Sequence, residues 1–105
     1  MFERLRVRVH RVAIEVDGET VEVYIKELPF SVVAQNYEQT DQGELMLRLI
    51  AASLCDEQGR PLFSSEEEGV QELRQWRFKP VNELANKIIE INKLQPDPWN
   101  STNHG

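Results

Sequence analysis

The 105-residue chain is long enough for one domain with a single hydrophobic core, needing neither a metal nor a disulfide. Apolar content of 40% and charged content of 29% place it among ordinary globular proteins, not among disordered or membrane-spanning chains. A net charge of −6 argues against general nucleic-acid binding, which needs a positive field, and the lone Cys55 rules out an internal disulfide framework.

Residues 1–11 alternate Arg with Val and hold no continuous apolar run, so no signal peptide is read there and a cytosolic location is expected. Residues 4–28 read as strands. Leu5, Val7 and Val9 alternate with Arg4, Arg6, Arg8 and His10, and the apolar set then moves to Val12, Ile14 and Val16. That change of phase suggests a bulge near His10-Arg11. Asp17-Gly18 is a two-residue hairpin turn of type I′, which needs positive φ at both positions. The resulting register sets Ile14 opposite Val21 and Val12 opposite Val23, so the two apolar sets share one face.

Pro29 ends the strand and opens a helix, with Phe30, Val33, Ala34 and Tyr37 expected on its inward stripe. Asp41 with Glu44 forms a capping box for the next helix. That helix is the expected hub: over residues 45–55 only Arg48 and Ser53 are polar, so apolar residues run nearly all round it. Asp56-Glu57-Gln58-Gly59-Arg60-Pro61 then breaks the chain with a glycine and a proline, and Leu62-Phe63 returns it to apolar surroundings. Ser65 with Glu68 starts a short helix carrying Val70 and Leu73 inward, weakened by Gly69 and ending near Trp76. Arg77-Phe78-Lys79 is read as a connector. A last helix is expected from Val81 to about Leu94, with Val81, Leu84, Ala85, Ile88 and Asn92 inward. Ile89 and Ile91 widen its apolar arc to about 160°. Residues 1–94 are thus taken as one domain, and 95–105, with Pro96 and Pro98, as a disordered tail.

No catalytic or metal-ligating set is found. His10 lies in a strand and His104 in the tail, remote from any Ser, Cys or carboxylate partner by spacing, and no glycine-rich phosphate loop exists. Asp56 and Glu57 disfavour a thiolate at Cys55. Neither an enzyme nor a cofactor is expected. Three features invite a binding role instead. The Arg4-Arg6-Arg8 row either guards a sheet edge or docks on an acidic partner. Trp99 lies in the tail with no core to join, which suits a partner anchor, as do Trp76 and Phe78. The broad arc around Ile89 and Ile91 is either core or a surface kept for another chain.

The block Ala52-Ser53-Leu54-Cys55-Asp56-Glu57-Gln58-Gly59-Arg60-Pro61-Leu62-Phe63 closely resembles the signature of the tail assembly chaperones of long-tailed, siphovirus-type bacteriophages. Val23-Tyr24-Ile25-Lys26-Glu27-Leu28 looks like that family's strand before its first helix, and residues 80–94 like its closing helix. The resemblance implies a non-enzymatic protein in the host bacterial cytoplasm that binds the phage tape measure protein and keeps it soluble until tail tube subunits polymerise. It also implies the short one of two forms, the longer being a frameshifted product that recruits the major tail tube protein. Self-association is expected, and no membrane or nucleic acid is among the expected partners. The expected contact residues are Trp76, Phe78, Ile89, Ile91 and Trp99. The fold expected is α+β: an N-terminal antiparallel hairpin, with a possible third strand from residues 4–9, packed on about four helices around one buried helix. A second reading, a small phage or bacterial nucleic-acid-binding regulator, rests on the arginine row.

Overall fold

A computed structural model describes residues 2–36 and 41–93. Tyr37, Trp99 and the rest of the segment after Lys93 lie outside the described residues. The fold is α+β. Strands β1 (Val9–Val16) and β2 (Glu19–Lys26) form the hairpin, followed by helices α1 (Phe30–Gln35) and α2 (Gln42–Ser53), the short strand β3 (Leu54–Cys55), and helices α3 (Glu66–Leu73) and α4 (Phe78–Asn92). The sheet is antiparallel in the order β1-β2-β3.

The hairpin has the register that its turn dictates, with Ile14 opposite Val21 and Val12 opposite Val23. Asp17 and Gly18 have φ of 55° and 81°, the positive pair that a type I′ turn requires. Val12, Ile14, Val16, Val23 and Ile25 face the helices, whereas Arg11, Ala13, Glu15 and Glu22 are exposed on the opposite face. Such one-sided burial is what period-two alternation produces in an antiparallel sheet.

The change of phase before Val12 marks the start of the strand and not a bulge within it. Pairing is continuous from Val9, and Phe2–Leu5 forms a 3-10 helix with no buried residue. Arg4, Arg6 and Arg8 therefore do not form a row on a strand. Glu27 N–H is the last donor to reach across, to the Arg8 carbonyl: the next residue of that parity is Pro29, which has no N–H, while Leu28 N–H points the other way and bonds Asn92 Oδ1 at 2.9 Å. The third strand comes from Leu54 and Cys55, which pair with Ile25 and Tyr24.

α2 is capped by Asp41, whose Oδ1 accepts the Glu44 N–H at 3.1 Å. Its buried part is the C-terminal half, Leu49, Ile50, Ala51 and Ser53, while Leu45, Met46 and Leu47 are only half-buried. Ile50 and Ala51 join Ile14, Ile25, Leu54, Val70, Leu73, Leu84 and Ile88 in one core cluster. Each Leu or Ile taken fully from water contributes about 1.5–3 kcal/mol. α2 packs on both α3 and α4, and α4 packs on β1.

Four expectations about the helices are corrected. Phe30 is 85% exposed and Ala34 is exposed, so the inward side of α1 is Val32 and Val33, both half-buried. The helix begins directly after the anchored Leu28-Pro29, and a side chain in a first turn leans back toward the N-terminus, away from the core. α3 closes at Leu73, and residues 74–76 leave as a turn in which Trp76 N–H bonds the Leu73 carbonyl. α4 starts at Phe78, three residues before the expected Val81, because Pro80 falls in the first turn, where no intrahelical donor is needed. It ends at Asn92, and Lys93 adopts the left-handed conformation with φ of 55°. Asn92 closes the end by accepting from Leu28 and donating to the Ile88 carbonyl at 2.9 Å.

Gly69 does more than weaken α3. A Cβ built there would lie 2.6 Å from Phe63 Cδ2 and 2.7 Å from Ala51 Cβ. The hydrogen atom of glycine is what lets α3 approach α2 so closely. Gly69→Ala should therefore destabilise by about 1–3 kcal/mol through overpacking, although alanine is the better helix former by about 1 kcal/mol. A lowered thermal midpoint checks this, and a raised one would contradict it.

The turn after β3 is a small closed unit. Asp56 N–H bonds the Arg60 carbonyl, Asp56 Oδ1 accepts the Gln58 and Arg60 N–H groups at 2.9 Å each, and Gly59 has φ of 85°. The Arg60 N–H, with lesser help from Gln58 and the Arg60 guanidinium, holds the Asp56 carboxyl below its ordinary range. A depressed carboxyl pKa stabilises the fold above the unfolded value of about 4 and loses that contribution as pH falls through the folded value. Asp56→Asn should thus have a lower urea midpoint than the parent chain at pH 7, with the gap closing as acidification protonates the Asp56 carboxyl of the folded parent.

Candidate partner-binding surface

Phe78 is the first residue of α4 and is 80% exposed. The residue before it is held in place: the Arg77 guanidinium grips both carboxylate oxygens of Asp17 in the hairpin turn, at 2.7 and 2.9 Å. This fork holds the Asp17 carboxyl below its ordinary range and raises the Arg77 pKa further. Arg77 caps α4 with its backbone alone and makes no side-chain capping bond.

From this fixed start α4 runs beside α2, and a groove of about 440 Å³ opens between them. Met46, Leu47 and Ile50 line one wall and Phe78, Val81 and Ala85 the other, with Asp41, Glu44, Arg74 and Asn82 also lining it. Leu47, Val81 and Ala85 rest against the core from above, so the groove floor is continuous with the interior. The polar rim is ordered by a chain of ion pairs. Glu44 meets Arg74 and, at 3.2 Å, Arg48, and Arg48 reaches Glu66 at 3.3 Å. These pairs join α2 to both ends of α3 and fix the groove's outer edge.

The expected contact residues separate. Phe78 lines the groove. Ile89 lies eleven residues further along α4, about 20° from Phe78 around the helix, so it prolongs the same side. Ile91 packs against the core with Leu84 and Ile88, and its arc is interior. Trp76 faces a different, more polar hollow with Phe63, Glu68, Gln71, Glu72 and Gln75, and its indole N–H donates to Glu72 Oε2 at 2.9 Å. Trp99 lies outside the described residues.

Met46, Leu47, Val81 and Ala85 were hidden in the sequence because they resemble core. The signal for them was an excess: α2 is apolar almost all round, and α4 has an apolar arc wider than one core contact needs. Cys55 is a buried free thiol whose pKa burial pushes up, away from the reactive thiolate. Among the described residues no group of three or more His, Cys, Asp and Glu could hold a metal ion. Among those same residues no helix is long and apolar enough to cross a membrane.

A protein-family model for the phage tail assembly chaperones (TAC) matches residues 6–92. The match spans every strand and α-helix described above, and the chain belongs to that family. No curated protein and no solved structure gives a significant match. The block around Cys55 that carried the resemblance is the junction of α2, β3 and the Asp56 turn, an architectural element and not part of the groove.

The two isoleucines of α4 should separate on substitution. Ile91→Asp places a carboxylate against the core and should lower the thermal midpoint sharply, by several kcal/mol of stability. Ile89→Asp should leave the far-ultraviolet circular dichroism and the melting curve close to those of the parent. Equal losses in both variants would show that Ile89 is core as well.

Proposed function

We propose that this chaperone holds the phage tape measure protein through the α2–α4 groove and keeps that client soluble until tail tube subunits polymerise around it. The carrying observation is Phe78, an aromatic ring left 80% exposed at the mouth of an apolar groove. An exposed aromatic beside half-buried aliphatic walls is the arrangement that anchors a partner helix. A tape measure helix offers long apolar stripes. A groove of this size receives one or two of its large side chains, which makes each contact weak. Many copies along one rod then act together, and self-association of the chaperone raises their effective concentration.

In this reading the work is done by covering surface, without a reaction or a cofactor, in the cytoplasm of the host bacterium. A longer frameshifted form would bring the major tail tube protein to the loaded tape measure. The regulator reading loses its main support, because Arg4, Arg6 and Arg8 do not line a strand.

Phe78→Ser tests the groove. Removing the ring should cost about 1.5–3 kcal/mol of binding, a factor of roughly ten to a hundred. Co-purification of the tape measure protein should therefore fall away while the circular dichroism of the chaperone is unchanged. Undiminished co-purification would rule out the groove as the client site.

A further inference from the structure

Among the described residues β1 is the outer strand of the sheet, with β2 on one side and no strand on the other. In an antiparallel ladder, successive residues direct their backbone groups to alternate sides. Val16 and Glu19 flank the two-residue turn, so Val16, Ile14, Val12 and His10 bond inward to β2. Arg8 follows the same parity, since its carbonyl accepts the Glu27 N–H. Arg11, Ala13 and Glu15 therefore aim their N–H and C=O groups outward. Glu15 N–H confirms this direction by bonding Glu83 Oε2 of α4 at 3.3 Å, a side chain outside the ladder. Among the described residues the outward N–H groups of Arg11 and Ala13 have no partner.

Outer strands are usually protected against pairing by proline, charges, a bulge, shortness or a covering helix. β1 is eight residues long, its register is unbroken and it contains neither proline nor lysine; its cover is the Glu83 side chain at Glu15, and its charges are one Arg and one Glu. Its exposed face carries Arg11, Ala13 and Glu15, one charge of each sign placed evenly about a small residue. That arrangement complements itself. In an antiparallel pair of two β1 strands centred on Ala13, each Arg11 stands opposite the other copy's Glu15. Ala13 meets Ala13 at the two-fold axis, and on the inner face Val12 meets Ile14. Arg11, Ala13 and Glu15 all become hydrogen-bonded pairs in this register.

We propose that two copies of this chain associate edge to edge through β1, in the register that sets Arg11 against Glu15, to form a continuous six-stranded sheet. This gives a surface to the self-association in the preceding reading and does not depend on the identity of the client. The Glu83 carboxylate releases the Glu15 N–H as the pair forms, and the Arg11 carbonyl of the second copy takes its place.

Sedimentation equilibrium of the purified full chain, from micromolar to millimolar concentration, should show a monomer–dimer equilibrium. Arg11→Glu alone places Glu against Glu, and Glu15→Arg alone places Arg against Arg. Each should weaken dimerisation roughly tenfold to a hundredfold. An equimolar mixture of the two variants should recover the parent's affinity as a heterodimer, and the doubly exchanged chain should recover it as a homodimer. Both positions are exposed, and an unchanged circular dichroism spectrum confirms the fold of each variant. A chain that stays monomeric throughout would overturn both the edge pairing and the self-association. A dimer indifferent to these exchanges would overturn the edge pairing alone.

Discussion

The structure depends on the passage from helix to strand at Leu54 and Cys55. These two buried residues leave the end of α2 and pair at once with Tyr24 and Ile25, so one short stretch belongs to both layers. Because no loop separates Ser53 from Leu54, the axis of α2 cannot rotate or slide without breaking the edge of the sheet. Leu62 N–H returns to the Leu54 carbonyl at 3.2 Å, which fixes the chain again after the Asp56 turn. The position of α3, and through it the approach of Gly69 to Ala51, follows from that second attachment.

Given a fixed α2, the remaining elements have little freedom. α3 covers one side of it through Val70 and Leu73, and α4 covers another through Leu84 and Ile88 while also lying under β1. The two covering helices do not meet evenly over α2, and the uncovered strip between α2 and α4 is the groove. An apolar surface of that kind is costly to leave in water, and this is the surface on which the proposal of client binding rests. The ion pairs from Glu44 to Arg74 and Arg48 set charged groups beside the apolar walls.

Local chemistry explains which features were legible in the sequence. The hairpin register followed from Asp17-Gly18, the α2 and α3 starts from Asp41 and Ser65, and the turn from Asp56 and Gly59, because in each the decisive bond lies within a few residues. Long-range contacts were not legible in the same way. Nothing in the Arg-Val alternation of residues 4–9 shows that the ladder ends at the Glu27–Arg8 bond, or that Leu28 N–H is tied to Asn92 of α4. Periodicity marked Phe30 and Ile91 as members of apolar arcs without telling which neighbour each would meet. One faces water and the other the core. For the contact surface, Phe78 and Ile89 were named for their apolarity. The groove's second wall, Met46 and Leu47, was masked by its likeness to a buried hub.

The Asp17–Arg77 fork has a mechanical consequence. It joins the tip of the hairpin to the residue preceding Phe78, across a sequence separation of sixty residues. A load applied to the Phe78 ring passes along that fork into paired strands as well as into the body of α4. An aromatic at the start of a helix would otherwise sit where fraying begins. Bracing against the sheet at the preceding residue ties the start of α4 to the hairpin tip.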